Sequence, residues 1–131
     1  MDDIELYPFL RFDALYQKET TFYFPKGLLG LPNVKELYLT KEQKLEPYFF
    51  LDQLNGNARF IVCDPFTFFP DYSPLIARSD LREIAIQDES PLFLLTIVNA
   101  KSAPPRLNLR APLLIDWQQK KGKQIIVGNE G

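Results

Sequence analysis

Short runs of alternating or wholly apolar positions recur along this chain and predict strands rather than long helices. The clearest signal is a hairpin, in which residues 48–54 and 58–63 flank the turn residues Asn55-Gly56-Asn57. Residues 92–98 are almost entirely apolar, which is typical of a central strand buried on both faces. Other segments with strand character are residues 12–17, 20–24, 35–40, 74–78, 107–117 with a break at Pro112, and 124–127.

One helix is predicted, over residues 79–86. Asp80 can cap its first turn, and Leu81 and Ile84 fall on one face. The rest of the chain contains eight or nine short strands separated by turn signals at roughly regular spacing, which predicts an all-β barrel or sandwich. A length of 131 residues suits a single domain over residues 1–131.

The segment from Asp64 to Tyr72 contains two prolines and three phenylalanines, and its first proline ends the strand at 58–63. Such a stiff aromatic segment either plugs the core or presents a rigid apolar contact surface. We expect Phe66, Phe68 and Phe69 to fill one end of the fold, with one of the three exposed. The alternative is that they anchor a partner.

Several polar residues are candidates for a contact surface. Asp64 either caps the turn that follows it or forms a salt bridge with a partner. Asp71 and Tyr72 follow the second proline and are better surface candidates. Asn108 either holds loop backbone by hydrogen bonds or touches a partner. Residues 120–123 form a basic turn, which is either a solvated hairpin tip or a contact for an acidic partner.

A loop is predicted at residues 25–32, where two prolines and two glycines interrupt the apolar pattern. Its glycines are expected to supply positive φ or a close approach of the backbone. Its three leucines are expected to tuck beneath the sheet.

The amino-acid composition and the net charge exclude several classes of function. Histidine is absent and Cys63 is the only cysteine, which removes most general-base, triad and zinc chemistry, so no metal, cofactor or catalytic activity is expected. The formal net charge of −2 argues against direct binding of nucleic acid. Neither a secretory signal nor an apolar run long enough to span a membrane is visible, so we expect a soluble cytoplasmic protein.

Three stretches of the chain together resemble the flagellar assembly factor FliW family. The first runs from Phe24 to Pro32, the second from Val62 to Tyr72, and the third comprises Asn108 to Ile115 followed by Lys121 to Gln124. Their order and separation also agree with the family, and the similarity spans nearly the whole chain.

This resemblance implies a small antiparallel β-barrel without enzymatic activity. It also implies two protein partners, the translational regulator CsrA, which the family antagonises allosterically, and flagellin. A small barrel that carries an apolar ligand remains the alternative function. The residues predicted to bind partners are Asp64, Phe66, Phe69, Asp71, Tyr72, Asn108, Arg110 and Lys123.

Overall fold

The computed structural model describes residues 4–5, 7–84 and 91–128. Within them lie ten strands: β1 (Ile4–Glu5), β2 (Thr20–Tyr23), β3 (Glu36–Lys41), β4 (Phe49–Gln53), β5 (Arg59–Cys63), β6 (Ile76–Ala77), β7 (Leu92–Asn99), β8 (Arg106–Leu107), β9 (Leu113–Asp116) and β10 (Lys121–Gln124). The helices in the same ranges are α1 (Phe12–Leu15), α2 (Pro65–Phe68) and α3 (Arg78–Ile84), with a 3₁₀ turn at Gln43–Leu45. No described helix has the length and apolar character that crossing a bilayer requires.

Seven strands form a closed barrel in the order β5-β4-β3-β2-β10-β9-β7, and β7 returns to pair with β5. These pairings are antiparallel except for that between β2 and β10, which is parallel and registers a single residue pair, Tyr23 and Lys121. β8 extends the sheet beyond β7, and β1 pairs with β6 in a separate two-stranded sheet. The predicted all-β barrel is confirmed, and so is its clearest hairpin, which is β4 and β5.

Apolar side chains fill the barrel interior, because alternate positions of each strand point inward. Four phenylalanines there have no exposed surface: Phe12, Phe22, Phe24 and Phe93. The rings of Phe12 and Phe93 stack with their centroids 4.8 Å apart, and the half-buried Trp117 meets Phe12 edge-on at 6.1 Å. The interior is therefore a packed aromatic and aliphatic core.

A second core lies on the outer face of β7, β9 and β10. Its buried members are Ile76, Leu81, Ile84, Leu92, Leu94, Leu114, Ile125 and Val127. Helix α3 covers this face through contacts with β6, β9 and β10. Alternate residues of β7 thus enter the two cores, which confirms that this strand is buried on both faces.

The strand predicted at residues 12–17 is wrong, because residues 12–15 form the single-turn helix α1. Phe12, Leu15 and Tyr16 follow a helical spacing, and all three pack on the barrel interior. The backbone N–H of Phe12 donates to the carboxylate of Asp64 at 2.8 Å, which fixes where the helix begins. A contact 52 residues away in sequence therefore selects the helix.

The basic turn predicted at residues 120–123 is wrong in its position, because β10 already begins at Lys121. The carboxylate of Asp116 accepts from the backbone N–H of Gln118 at 2.8 Å and of Gln119 at 3.3 Å, and its carbonyl accepts from that of Lys120 at 2.8 Å. These bonds close the turn over residues 117–120. The predicted helix is α3, and residues 85 and 86 of that prediction lie outside the described residues.

Candidate protein-binding surface

Asp64 lies in the interior, where its carboxylate organises two helix starts. One oxygen accepts from the N–H of Phe66 at 2.9 Å, which caps α2 and confirms the capping interpretation. The other accepts from the N–H of Phe12 at 2.8 Å and from Nε of Arg11 at 3.1 Å. Because its side chain is only 1% exposed, Asp64 positions neighbouring segments and offers no open face to a partner.

Phe66 and Tyr72 border the outer core beneath the loop that carries Asn108 and Arg110. The two rings lie 5.7 Å apart, and Phe66 also packs on Phe9 at 6.3 Å. The hydroxyl of Tyr72 donates to the carbonyl of Leu109, which ties segment 64–72 to that loop. Burial raises the pKa of Tyr72 to about 12, so the hydroxyl keeps its proton and remains a donor.

Phe68 and Phe69 point away from the outer core and are exposed. Phe68 stacks on Tyr48 with the ring centroids 5.6 Å apart, at the barrel end where β4 begins. The prediction of one exposed phenylalanine in this segment is therefore wrong, because the single turn of α2 sends its residues to opposite sides. Asp71 follows on the surface and is exposed.

The loop at residues 108–112 is held by its own polar groups. The side-chain oxygen of Asn108 accepts from the N–H of Ala111 at 3.2 Å, which confirms the interpretation that Asn108 holds loop backbone. The carbonyl of Arg110 accepts from the N–H of Val127 at 3.0 Å, while its side chain is exposed. The loop therefore presents Arg110 from a fixed backbone.

Gln124 connects this loop to the loop at residues 25–32, which we call the glycine-leucine loop. Its side chain is nearly buried, and its Oε1 accepts from the N–H of Leu29 at 2.8 Å. Its Nε2 donates to the carbonyl of Ala111 at 3.0 Å. One buried amide thus satisfies two backbone groups and fixes both loops relative to each other.

The sequence pattern predicts that all three leucines of the glycine-leucine loop lie beneath the sheet, and this prediction is wrong for two of them. Leu28 is buried, but Leu29 and Leu31 are 52% and 43% exposed. Leu28 and Leu31 exchange backbone hydrogen bonds of 3.1 and 2.8 Å, which closes a tight turn between them. Gly27 and Gly30 have φ of +69° and +78°, which confirms the expected role of these glycines.

Ile126 is a further exposed apolar residue, two positions beyond Gln124. The N–H groups of Ile125 and Val127 donate to the neighbouring loop, and both of these side chains are buried in the outer core. Alternation places Ile126 on the opposite side, the side to which Gln124 points, and it is 52% exposed.

Lys123 forms ion pairs with two acidic residues of α3. Its ammonium lies 2.7 Å from both the Asp80 and the Glu83 carboxylates, and Glu83 also lies 2.9 Å from Lys26. Burial opposes the charge of Lys123, but hydrogen bonds to Asp80 and Glu83 outweigh it and raise the pKa. The hydrogen bond from Lys123, followed by that from Lys26, lowers the pKa of Glu83.

The structure thus brings five predicted residues to one region: Phe66, Asp71, Tyr72, Asn108 and Arg110. Phe69 lies beside it, Asp64 is beneath it, and Lys123 belongs to the α3 ion pairs. The sequence interpretation missed Leu29, Gln124 and Ile126. The predicted strand at residues 124–127 offered one signal for Ile126, because alternate residues of a strand point to opposite faces, so a strand that packs on a core with one face exposes the residues between.

The three stretches that resemble the FliW family meet in this region through a chain of hydrogen bonds. The first stretch reaches the third through Leu29 and Gln124, and the second reaches the third through Tyr72 and Leu109. Within the part of the chain that the structure describes, no three side chains of the usual metal-ligating acids, cysteine or histidine come together. The region offers hydrogen bonds, apolar area and charge, which are the means of protein recognition.

The fold and this surface define a small closed β-barrel whose loops build an ordered outer face. A sequence model of the FliW protein family matches residues 12–131. The chain is 32% identical over 117 residues to the flagellar assembly factor FliW of Borreliella burgdorferi (strain ZS7), covering 87% of this chain and 89% of that protein. It is 34% identical over 115 residues to the flagellar assembly factor FliW of Clostridium botulinum (strain Alaska E43 / Type E3), covering 86% and 82%.

A solved structure agrees with these sequence matches. A crystal structure of the flagellar assembly factor FliW superposes with a TM-score of 0.73 at 25% identity, covering 85% of this chain and 79% of that chain. The chain therefore belongs to the FliW family of flagellar assembly factors.

Proposed function

We propose that this chain is a cytoplasmic binding factor that antagonises the translational regulator CsrA allosterically and also binds flagellin. Export of flagellin frees the factor, the freed factor captures CsrA, and translation of flagellin resumes. In this proposal the exchange of partners couples flagellin synthesis to flagellin export, and the chain acts by binding rather than by catalysis.

The observation that carries the proposal is the meeting of the three family-like stretches in one ordered surface. Tyr72 and Gln124 each use a polar group to fix a neighbouring loop, and Asn108 uses its side-chain oxygen to fix its own loop. Loops fixed in this way lose little conformational entropy when a partner binds, which favours recognition. Arg110 and Asp71 stand exposed on this surface and can form charged contacts at its rim.

A barrel that carries an apolar ligand is the alternative, and the packing of the interior does not favour it. Ring centroids of the interior aromatic residues lie 4.8–6.3 Å apart, and the large phenylalanines are fully buried against one another. Native mass spectrometry of the purified protein tests this alternative, because a carried ligand adds a constant mass.

Calorimetric titration of the purified chain with CsrA and, separately, with flagellin tests the proposal. We expect heat of binding with both, and displacement of CsrA from its complex when flagellin is added. Co-elution in size-exclusion chromatography is the second readout. Absence of heat and of co-elution with either protein would defeat the proposal.

Substitution of the exposed residues locates the contacts. Asp71→Ala and Arg110→Ala are expected to weaken one partner by about 1 kcal/mol or more, if they lie within its interface, while leaving the unfolding free energy unchanged. Lys44→Ala is the matched control, because Lys44 is exposed on the 3₁₀ turn outside this region. Equal affinities for all three variants would place the interface elsewhere.

A further inference from the structure

The turn between β4 and β5 contains an asparagine followed by a glycine, Asn55 and Gly56. Among the asparagines of the chain, only Asn55 precedes a glycine. Every residue of the turn, from Leu54 to Asn57, is exposed. Asn55 also lines a surface recess of about 250 Å³, which gives water access to its side-chain amide.

The backbone nitrogen of Gly56 is not engaged in the hydrogen bonds that close the turn. The N–H of Gln53 donates to the carbonyl of Ala58 at 2.8 Å, but within the part of the chain that the structure describes no acceptor takes a hydrogen bond from the N–H of Gly56. Glycine also has no Cβ beside this nitrogen. The nitrogen is therefore open to the neighbouring side-chain amide of Asn55, which is the requirement for an asparagine to cyclise and so to be labile.

Asn57, two residues further on, provides an internal contrast. Its successor is Ala58, whose N–H donates to Oε1 of Gln53 at 3.3 Å. The nitrogen that Asn57 needs for the same reaction is therefore bonded and carries a methyl group on the adjacent carbon, although Asn57 is also exposed. The two asparagines share one turn and differ in the residue that follows, so exposure alone does not decide their reactivity.

The side chain of Asn55 is held by Glu36, so a change at Asn55 alters how the turn is anchored. Its Nδ2 donates to Oε1 of Glu36 at 3.1 Å, which links the turn to the first residue of β3. Replacement of the amide by a carboxylate removes this donor and sets two negative groups against each other.

We propose that Asn55 is a site of spontaneous deamidation, which converts this turn to a more acidic form. The backbone nitrogen of Gly56 bonds to the side-chain carbonyl carbon of Asn55 and passes its proton, through water, to Nδ2. The bond from that carbon to Nδ2 breaks, and Nδ2 leaves as ammonia. A water molecule then opens the cyclic succinimide at either carbonyl, giving aspartate or isoaspartate. The reaction needs water alone and involves neither of the proposed protein partners.

Incubation of the purified protein at mildly alkaline pH, followed by peptide mapping with fragmentation, tests the proposal. We expect residue 55 to lose ammonia, gain a negative charge and become a substrate of an isoaspartate methyltransferase. The rate is expected to lie within about tenfold of that in the urea-unfolded chain, because opening an exposed turn costs little free energy. Asn55→Gln should remove the reaction, because its longer side chain cyclises far more slowly, and Asn57→Gln, the matched control, should leave it unchanged.

The thermal midpoint measures the effect of the product on the turn. Asn55→Asp is expected to lower the midpoint by about 1–3 °C, and by less in the Glu36→Gln background, where an amide again faces the carboxylate. Asn57→Asp is the matched control and is expected to lower it by less than Asn55→Asp does.

Three results count against the proposal. Absence of conversion at residue 55 in the native protein overturns it, and the urea-unfolded chain then shows whether the folded turn gives the protection. Conversion at Asn57 as fast as at Asn55 would show that the N–H of Gly56 does not decide the reactivity. An unchanged midpoint in Asn55→Asp would overturn the inferred effect on the anchoring by Glu36.

Discussion

The two cores of this barrel differ in how they are held together. The interior core consists of fully buried aromatic and aliphatic side chains, whereas the outer core is bordered by polar links such as Tyr72 to Leu109 and Lys123 to Asp80. Apolar burial is non-directional and supplies most of the free energy, while hydrogen bonds fix orientation. The interior therefore sets the stability of the barrel, and the outer layer sets the positions of the surface loops.

Removal of an interior ring is expected to have the largest effect. Phe93→Ala should lower the unfolding free energy by about 3–5 kcal/mol, because Phe93 is fully buried and its loss leaves a cavity. Urea denaturation measures this change. Phe69→Ala, at an exposed ring, is the matched control and should cost less than about 0.5 kcal/mol. Equal losses of unfolding free energy in the two variants would show that interior and surface aromatic residues do not differ in their contribution to stability.

Loss of the Asp64 carboxylate is expected to come next. Asp64→Ala leaves the N–H groups of Phe12 and Phe66 without their acceptor, which should cost about 2–3 kcal/mol. Hydrogen exchange should quicken at these two amides, and urea denaturation gives the stability change. Asp71→Ala, at an exposed aspartate, serves as the control. An unchanged stability in Asp64→Ala would show that water replaces the carboxylate at no cost.

A smaller loss is expected for Tyr72→Phe, about 1 kcal/mol, because it removes one hydrogen bond and keeps the ring. The raised pKa also makes the contribution of Tyr72 pH-dependent. Its folded pKa of about 12 exceeds the ordinary value of 10.0, so the stabilisation is complete below pH 10 and is lost as the pH rises towards 12.

Ultraviolet difference absorbance measures this ionisation directly. The wild type should show a tyrosine titrating near pH 12 that is missing in Tyr72→Phe. Identical titration curves for the two proteins would contradict the buried donor role of this hydroxyl.

The α3 ion pairs are expected to contribute least. Glu83→Gln should lower stability by about 0.5 kcal/mol at neutral pH, because Glu83 is well exposed and its pairs are screened by solvent. The pKa of Glu83 is lowered, so this stabilisation is present above its ordinary value of 4.5 and is lost as the pH falls through the folded pKa. Acid unfolding of the variant and of Glu42→Gln, an exposed control, tests it. Equal acid midpoints would show that the pairs add nothing.

The sequence pattern predicts an element correctly where residues within that element determine its structure. The β4–β5 hairpin follows from its turn residues, and β7 follows from its unbroken apolar run. Helix α1 could not be predicted as readily, because the group that fixes its start, Asp64, lies 52 residues along the chain. Strand β10 begins earlier than predicted, because Asp116 closes the preceding turn before the lysine run that was taken to form it.

The candidate surface was predictable only in part for the same reason. The prolines of segment 64–72 and the break at Pro112 identified two of the segments that form the candidate surface. Their meeting depends on Tyr72 reaching Leu109, and the exposure of Leu29 depends on Gln124, both of which are long-range contacts. No periodicity within a single element can reveal which loops a distant amide will hold.

The single parallel pair between Tyr23 and Lys121 has a consequence for the newly synthesised chain. Strands β2 to β5 precede β7 and β10 in the chain, so an antiparallel sheet that they form during synthesis keeps both outer edges unpaired until β7 covers β5 and β10 covers β2. Unpaired edges recruit other chains. A translation product that stops before Lys121 should therefore aggregate in the cell, while the full-length chain should not.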